Sequence, residues 1–299
     1  MRIGIDLGGT KIEAAVLDSA GAIMARRRVP TPRGDYDASI AAIVTLVADL
    51  EQEVGERCTV GVGMPGTISR ATGLVKNANS TWLNGRPFGR DLSAALRRDV
   101  RFSNDANCFA LSEAVDGAAA SAHVVFGVIV GTGTGGGVVV DRQVIEGRNG
   151  VAGEWGHNAL PWPGPSELPG PPCYCGRSGC IETFLSGPGL AADYARAIGE
   201  TIDGEQVVAR AARGETAANS ALERYEHRMA RALASIINVL DPDIIVLGGG
   251  LSNIDRLYQN VPRLWGRWVF SDRVNTPLVK AKHGDSSGVR GAAWLGGEP

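Results

Sequence analysis

The chain has 299 residues, 44% of them hydrophobic and 21% charged, with a formal net charge of -2 and 41 glycines. This apolar content and near-balanced charge exclude a disordered chain, the glycines lack the period of three that collagen requires, and the charge gives no basic footprint for nucleic acid. No apolar run approaches the roughly 18 residues of a membrane span, and the opening M-R-I-G-I-D lacks a charged-then-apolar leader pattern. The expectation is a cytoplasmic protein with neither a membrane nor a nucleic-acid partner.

In chain order, residues 3–6 read as a buried strand, followed by a turn at Gly8-Gly9-Thr10. Residues 11–17 and 23–29 continue a meander across a turn at 18–21. Ile40, Ile43, Val44, Val47 and Val54 recur at helical spacing over 38–54, with Asp35 and Asp37 as candidate caps. A strand follows at 60–64, and another at 100–102 passes into a helix over 106–115. A second meander then repeats the first: strand 124–130, a Gly/Thr turn at 131–137, strand 138–140, an Asp-containing turn at 141–142, and a strand from 144. The repeated order reads as an internal duplication. Six prolines mark 161–172 as a loop. The last third alternates: helix 220–239, strand 243–247 ending in Gly248-Gly249-Gly250, helix 253–268, strand 277–281 and helix 287–295.

Two stretches, 131–136 and 61–66, satisfy the literal pattern G-x-G-x-x-G, but neither opens a helix directly after a strand, as a dinucleotide site requires. The chain contains no G-x-x-x-x-G-K-[ST]. A Gly/Thr hairpin turn can still hold phosphate, because glycine lets backbone N–H groups approach an anion and threonine adds a hydroxyl. An isolated turn of this kind is ordinarily only a turn. Two matched turns in duplicated units, with Gly248-Gly249-Gly250 at a third strand end, favour phosphate binding.

Asn104-Asp105-Ala106-Asn107 lies at the strand-to-helix junction. On residues alone Asp105 serves equally as a helix cap or as a catalytic carboxylate. His157, Cys173, Cys175 and Cys180 make a Cys3His set of the kind that holds structural zinc. The alternative is a group of ordinary thiols; Cys173 and Cys175 are too close in sequence for a relaxed disulfide. Cys58 and Cys108, on apolar segments, read as core thiols.

D-L-G-G-T-K at 6–11 resembles the first phosphate motif of the sugar-kinase/actin/heat-shock ATPase superfamily, G-T-G-T-G-G-G at 131–137 the second, and L-G-G-G at 247–250 the adenosine motif. Within that superfamily the whole chain resembles the ROK family (repressors, open reading frames, kinases), and C-x-C-G-x-x-G-C-x-E is matched by Cys173 to Glu182. V-K-N-A-N-S-T-W-L-N-G at 75–85, A-G-E-W-G-H-N at 152–158 and K-H-G-D-S-S-G-V-R-G-A-A-W-L at 282–295 look closest to its fructokinases of the mannofructokinase type.

The resemblance implies a duplicated ribonuclease-H-like α/β fold. A smaller domain would take 1–115 plus 286–299, and a larger one, 116–285, would carry the zinc loop. It implies ATP-dependent transfer of the γ-phosphoryl group to O6 of D-fructose, with mannose or glucose as further acceptors and an N-acetylated amino sugar as the alternative. A sugar-sensing ROK repressor is disfavoured, because the first strand begins at residue 3 and leaves no room for a helix-turn-helix. Asp105 would be the catalytic base. Gly4, Asp6, Gly8, Gly9, Thr10, Lys11, Gly131, Thr132, Gly133, Thr134, Gly135, Gly136, Gly248, Gly249 and Gly250 would hold Mg2+-ATP. Pro65, Gly66, Asn79, Asn104, Asp105, Glu154, His157 and Glu182 would hold the sugar. Zinc on His157, Cys173, Cys175 and Cys180 would pin Glu154 and Glu182, and the second ring nitrogen of His157 would donate to the sugar. A homodimer is expected from the same resemblance.

Overall fold

The computed structural model describes residues 1–296, so the end of the expected 286–299 segment lies outside the described residues. The chain forms two compact units. The first comprises 1–121, 137–152 and the segment from Lys282 onward; the second comprises 122–136 and 153–281. Residues 137–152, expected in the larger domain, thus group with the first unit.

The first unit begins with an antiparallel meander of β1 (Arg2–Leu7), β2 (Lys11–Leu17) and β3 (Ile23–Pro30). Helix α1 (Tyr36–Val54) follows. Its cap is Asp35, whose carboxylate accepts from the Ala38 N–H at 2.9 Å; Asp37 lies in the first turn instead. β4 (Thr59–Met64) adds parallel to β1, and a small ribbon of β5 (Thr67–Ile68) and β6 (Val75–Lys76) follows. Helix α2 (Phe88–Leu96) leads to β7 (Val100–Asn104), parallel to β4, and then to α3 (Asp105–Val115). The sheet order is β3-β2-β1-β4-β7. Ile3, Ile5, Leu7, Val60 and Val62 pack with Ile43, Leu46, Val47 and Leu50 of α1 in one fully dehydrated cluster.

β8 (Val124–Val130), β9 (Thr134–Val140) and β10 (Gln143–Val144) form the second meander. Four helices follow: α4 (Glu182–Leu185), α5 (Gly187–Ile198), α6 (Gly204–Ala212) and α7 (Thr216–Leu240). β11 (Ile244–Gly248), α8 (Arg256–Trp265) and β12 (Leu278–Lys280) complete the alternation. The sheet order β10-β9-β8-β11-β12 repeats the first sheet strand for strand, with the same antiparallel and parallel pairings, so the duplication read from the meanders is present. The proline-rich stretch holds one 3-10 turn, Pro165–Glu167. The basic face of α7 is spent on buried acids: Arg228 and Arg231 donate to Glu167 at 2.8 and 2.7 Å, and Arg224 and Arg228 to Asp193 at 2.8 and 2.7 Å. Burial alone would raise the Glu167 carboxyl, but the two arginines outweigh it and hold it at about 2.

The last helix, α9 (Ser287–Leu295), lies on the first sheet through glycine-to-backbone contact. A Cβ on Gly4 would stand 1.9 Å from the Val289 carbonyl oxygen, one on Gly61 1.9 Å from that of Ala292, and one on Gly291 1.7 Å from that of Cys108. Gly4 is thus a packing position under α9. The Glu113 carboxylate, fully buried at the end of α3, fixes the approach to this helix. It accepts from the Ala118, Lys282 and His283 N–H groups at 2.9, 2.9 and 3.2 Å, and from the Ser287 hydroxyl at 2.9 Å. Gly61→Ala should therefore lower stability by about 1–3 kcal/mol, because backbone rather than a movable side chain must give way. A urea midpoint matching wild type would contradict this packing.

Candidate active site and metal cluster

In the first unit, the β7-to-α3 junction fixes two expected residues. Asn104, not Asp105, is the helix cap: its side chain accepts from the Ala106 N–H at 2.9 Å and donates to the Gly66 carbonyl at 3.2 Å. Asp105 is the first residue of α3, exposed, with one oxygen accepting from the Ala106 N–H at 2.8 Å. Gly66 has a φ of +71°, and a Cβ there would meet the Lys76 carbonyl oxygen at 2.4 Å. Asn79 is exposed next to Ala78, whose N–H and C=O are both bonded by the Asn84 amide at 2.9 Å. Asn84 thus shapes the 77–80 loop, a role that its place in the quoted 75–85 string does not reveal.

Asp6 stands at the end of β1. Burial, then the charges of Asp105 and Glu13, push its carboxyl up to about 6 against the opposing pull of Lys11 and Arg28. Glu13 itself is buried between Arg26 and Arg28. The Gly8–Lys11 turn closes on a Gly8 N–H to Lys11 carbonyl bond of 3.0 Å. The Thr31 hydroxyl and Arg33 brace it by donating to the Gly8 and Gly9 carbonyls at 2.7 and 2.8 Å. A Cβ on Gly288 would come within 3.0 Å of an Asp6 oxygen, so α9 begins against this carboxylate.

In the second unit, the Gly131–Gly136 turn and Gly248–Gly250 lie together. Gly249 has a φ of +82° and fits under the Val130 carbonyl, where a Cβ would be 2.4 Å away; the Gly250 nitrogen is 3.8 Å from a Cβ built on Gly131. The turn is held by the Gly187 N–H on the Gly131 carbonyl at 2.7 Å, and by the Thr134 N–H donating to Glu182 at 2.9 Å.

His157 Nδ1 and the sulfurs of Cys173, Cys175 and Cys180 lie within 4.8 Å of one another. Cys175 and Cys180 sulfurs are 3.6 Å apart, as are Cys173 sulfur and His157 Nδ1. A tetrahedron with Zn–S near 2.3 Å and Zn–N near 2.0 Å has edges of about 3.5–3.8 Å; the two 3.6 Å separations match those edges, and three thiols with an imidazole are donor chemistry that zinc takes. Burial and the neighbouring thiols push the Cys180 thiol up to about 12; a divalent cation at their centre supplies the charge that ionises such a set. His157 Nε2, expected to face the sugar, instead pairs with the Tyr174 phenol at 2.9 Å. The Tyr174 ring is exposed and stands edge-to-face on His157 at 5.1 Å. Cys58 and Cys108 are buried.

Two five-stranded sheets of the same order, a Gly/Thr turn in the meander of each and a Cys3His cluster are the features of one class, and the chain belongs to the ROK family, which it matches across residues 2–298. It is 42% identical to an N-acetyl-D-glucosamine kinase of Pectobacterium atrosepticum, over 99% of this chain and 98% of that one. Among solved structures, the ROK hexokinase of Thermus thermophilus is 32% identical with a TM-score of 0.88, covering 98% of this chain and 97% of that one. A ROK family glucokinase from Streptomyces griseus in complex with glucose and AMPPNP is 27% identical with a TM-score of 0.77, covering 98% of each chain. The two-domain α/β fold expected from the motifs is therefore present. The fructokinase expectation is overturned: the similarity over the whole length leads to N-acetyl-D-glucosamine kinase instead.

Proposed function

We propose that the protein is an ATP-dependent kinase that phosphorylates the primary hydroxyl of N-acetyl-D-glucosamine. The 42% identity to an N-acetyl-D-glucosamine kinase from end to end carries the choice of sugar. Asp105 takes the proton from the attacking hydroxyl. The oxygen then bonds to the γ-phosphorus as the bond to the β–γ bridging oxygen breaks, and ADP leaves. Backbone N–H groups of the 8–11 and 131–136 turns, other than those of Gly8, Gly131 and Thr134 that bond within the protein, receive the phosphates, and Gly248–Gly250 leaves room for the adenosine. Magnesium bound with ATP would neutralise charge on the phosphates, and Asp6, partly desolvated and repelled by Asp105 and Glu13, is the carboxylate suited to face it. Glu154 and Glu182 accept from sugar hydroxyls, and zinc on His157, Cys173, Cys175 and Cys180 fixes the loop that carries them.

A coupled assay of ADP release over a panel of hexoses tests this reading. N-acetyl-D-glucosamine should give the highest kcat/KM. Faster turnover of unacetylated glucose, mannose or fructose would overturn the substrate, and no turnover with any sugar would overturn the kinase.

A further inference from the structure

The turn at 131–135 has little structure of its own; its internal bond is the Gly131 N–H to the Gly133 carbonyl at 2.9 Å. Glycine-rich backbone loses the most conformational freedom on ordering, so such a turn needs outside restraint to present its N–H groups in one arrangement. Much of that restraint comes from the two segments that carry the metal ligands. Trp155 donates its indole N–H to the Gly135 carbonyl at 2.9 Å. Gly156 lies so close to the turn that a Cβ on it would stand 2.0 Å from the Thr134 carbonyl oxygen. Both precede His157 within the same 3-10 turn, Trp155–His157. From the other segment, Glu182 accepts the Thr134 N–H at 2.9 Å, and a Cβ on Gly133 would be 2.7 Å from that same carboxylate oxygen. Glu182 stands two residues after Cys180.

The two segments also pair with each other. Ala159 bridges to Cys180, the Ile181 N–H donates to the Asn158 carbonyl at 2.8 Å, and the Leu160 N–H donates to the Gly179 carbonyl at 2.9 Å. The cluster of His157, Cys173, Cys175 and Cys180 therefore sits at the junction of the two arms that grip the turn. Trp155 is buried, with its ring edge-to-face on Phe126 at 5.7 Å, so its indole is locked in place.

We propose that the metal cluster governs nucleotide affinity as well as the sugar loop, with Trp155 and Glu182 as positioning residues that transmit its order to the phosphate-binding turn. This rests on the reading above that the turn receives ATP phosphates and that the cluster holds zinc. Trp155→Phe keeps the aromatic packing and removes the indole N–H that donates to Gly135. Losing this part-buried hydrogen bond corresponds to roughly a tenfold loss of affinity.

The test measures metal content, ADP Kd and N-acetyl-D-glucosamine Kd on the same samples of wild type, Trp155→Phe and chelator-stripped protein, with circular dichroism as the check on folding. The expected result is an ADP Kd raised about tenfold in zinc-loaded Trp155→Phe, an ATP KM raised in parallel and a sugar Kd within about twofold of wild type. Stripped protein that keeps its fold should lose ADP affinity by at least as much. If stripping unfolds the chain, Trp155→Phe alone decides. An ADP Kd unchanged in Trp155→Phe, or unchanged in folded stripped protein, overturns the proposal, as does a rise in ADP and sugar Kd together in Trp155→Phe, which marks general loosening. Failure of the underlying reading looks different: wild type would then contain no metal, or would bind no ADP at all.

Discussion

Asp105→Asn should fold as wild type does and lose about 10²–10⁴-fold in kcat, the range expected when a general base is removed. The amide keeps an oxygen in place to accept from the Ala106 N–H, and Asn104 continues to cap α3, so the helix start is preserved. Only the negative charge at the helix N-terminus is lost, a matter of about 0.3–1 kcal/mol. KM for the sugar should move far less than kcat. Near-normal turnover in this variant would remove Asp105 from the mechanism and leave it a surface residue of the first helical turn.

The second large effect combines gain and loss. The Asp6 carboxyl is pushed up to about 6 in the folded protein, from an ordinary aspartate value of 3.8. The folded protein therefore holds this proton more tightly than the unfolded chain does. Between these two values the unfolded state ionises first, so the contribution of Asp6 to stability falls as pH rises, and above 6 the full penalty remains, at most about 3 kcal/mol. Asp6→Asn should thus stabilise the ligand-free protein by up to about 3 kcal/mol near pH 7.5, with the gain shrinking as pH drops below 6. The same variant should lose most turnover, because the amide cannot attract magnesium. Urea midpoints at about pH 5 and about pH 7.5, beside a turnover assay, check both halves. A midpoint at neutral pH equal to or below that of wild type would refute the account of Asp6 as a carboxylate held under strain for function.

Much of the architecture was legible because the chain says the same thing twice. Each meander carries apolar strands, a Gly/Thr turn and an Asp-bearing turn, and each builds a sheet of the same order. Other elements carried signals that went unread. Ser186 caps the helix from Gly187, with Pro188 in its first turn, and Asp203 with Gln206 forms a complete capping box for the helix from Gly204. Glu113 had no local signal, since its carboxylate bonds to residues about 170 positions away. The roles of Trp155 and Asn84 were hidden in the same way: each bonds a backbone carbonyl whose position depends on folding. The choice of sugar failed for a different reason. The motifs report phosphate turns, a base and a metal set, which sugar kinases of one family share, whereas distinguishing an acetamido group from a hydroxyl is a matter of pocket shape that no short string records.

The glycine seam beneath the last helix also constrains the order of assembly. Strands β1 and β4 are made well before residues 287–295, which cover the face they offer through Gly4 and Gly61. Until those residues have emerged from the ribosome, that face stays open and Glu113 lacks its partners at Lys282, His283 and Ser287. The unit that begins first is thereby the one that closes last, and during synthesis its exposed sheet is the surface most in need of shielding by a chaperone.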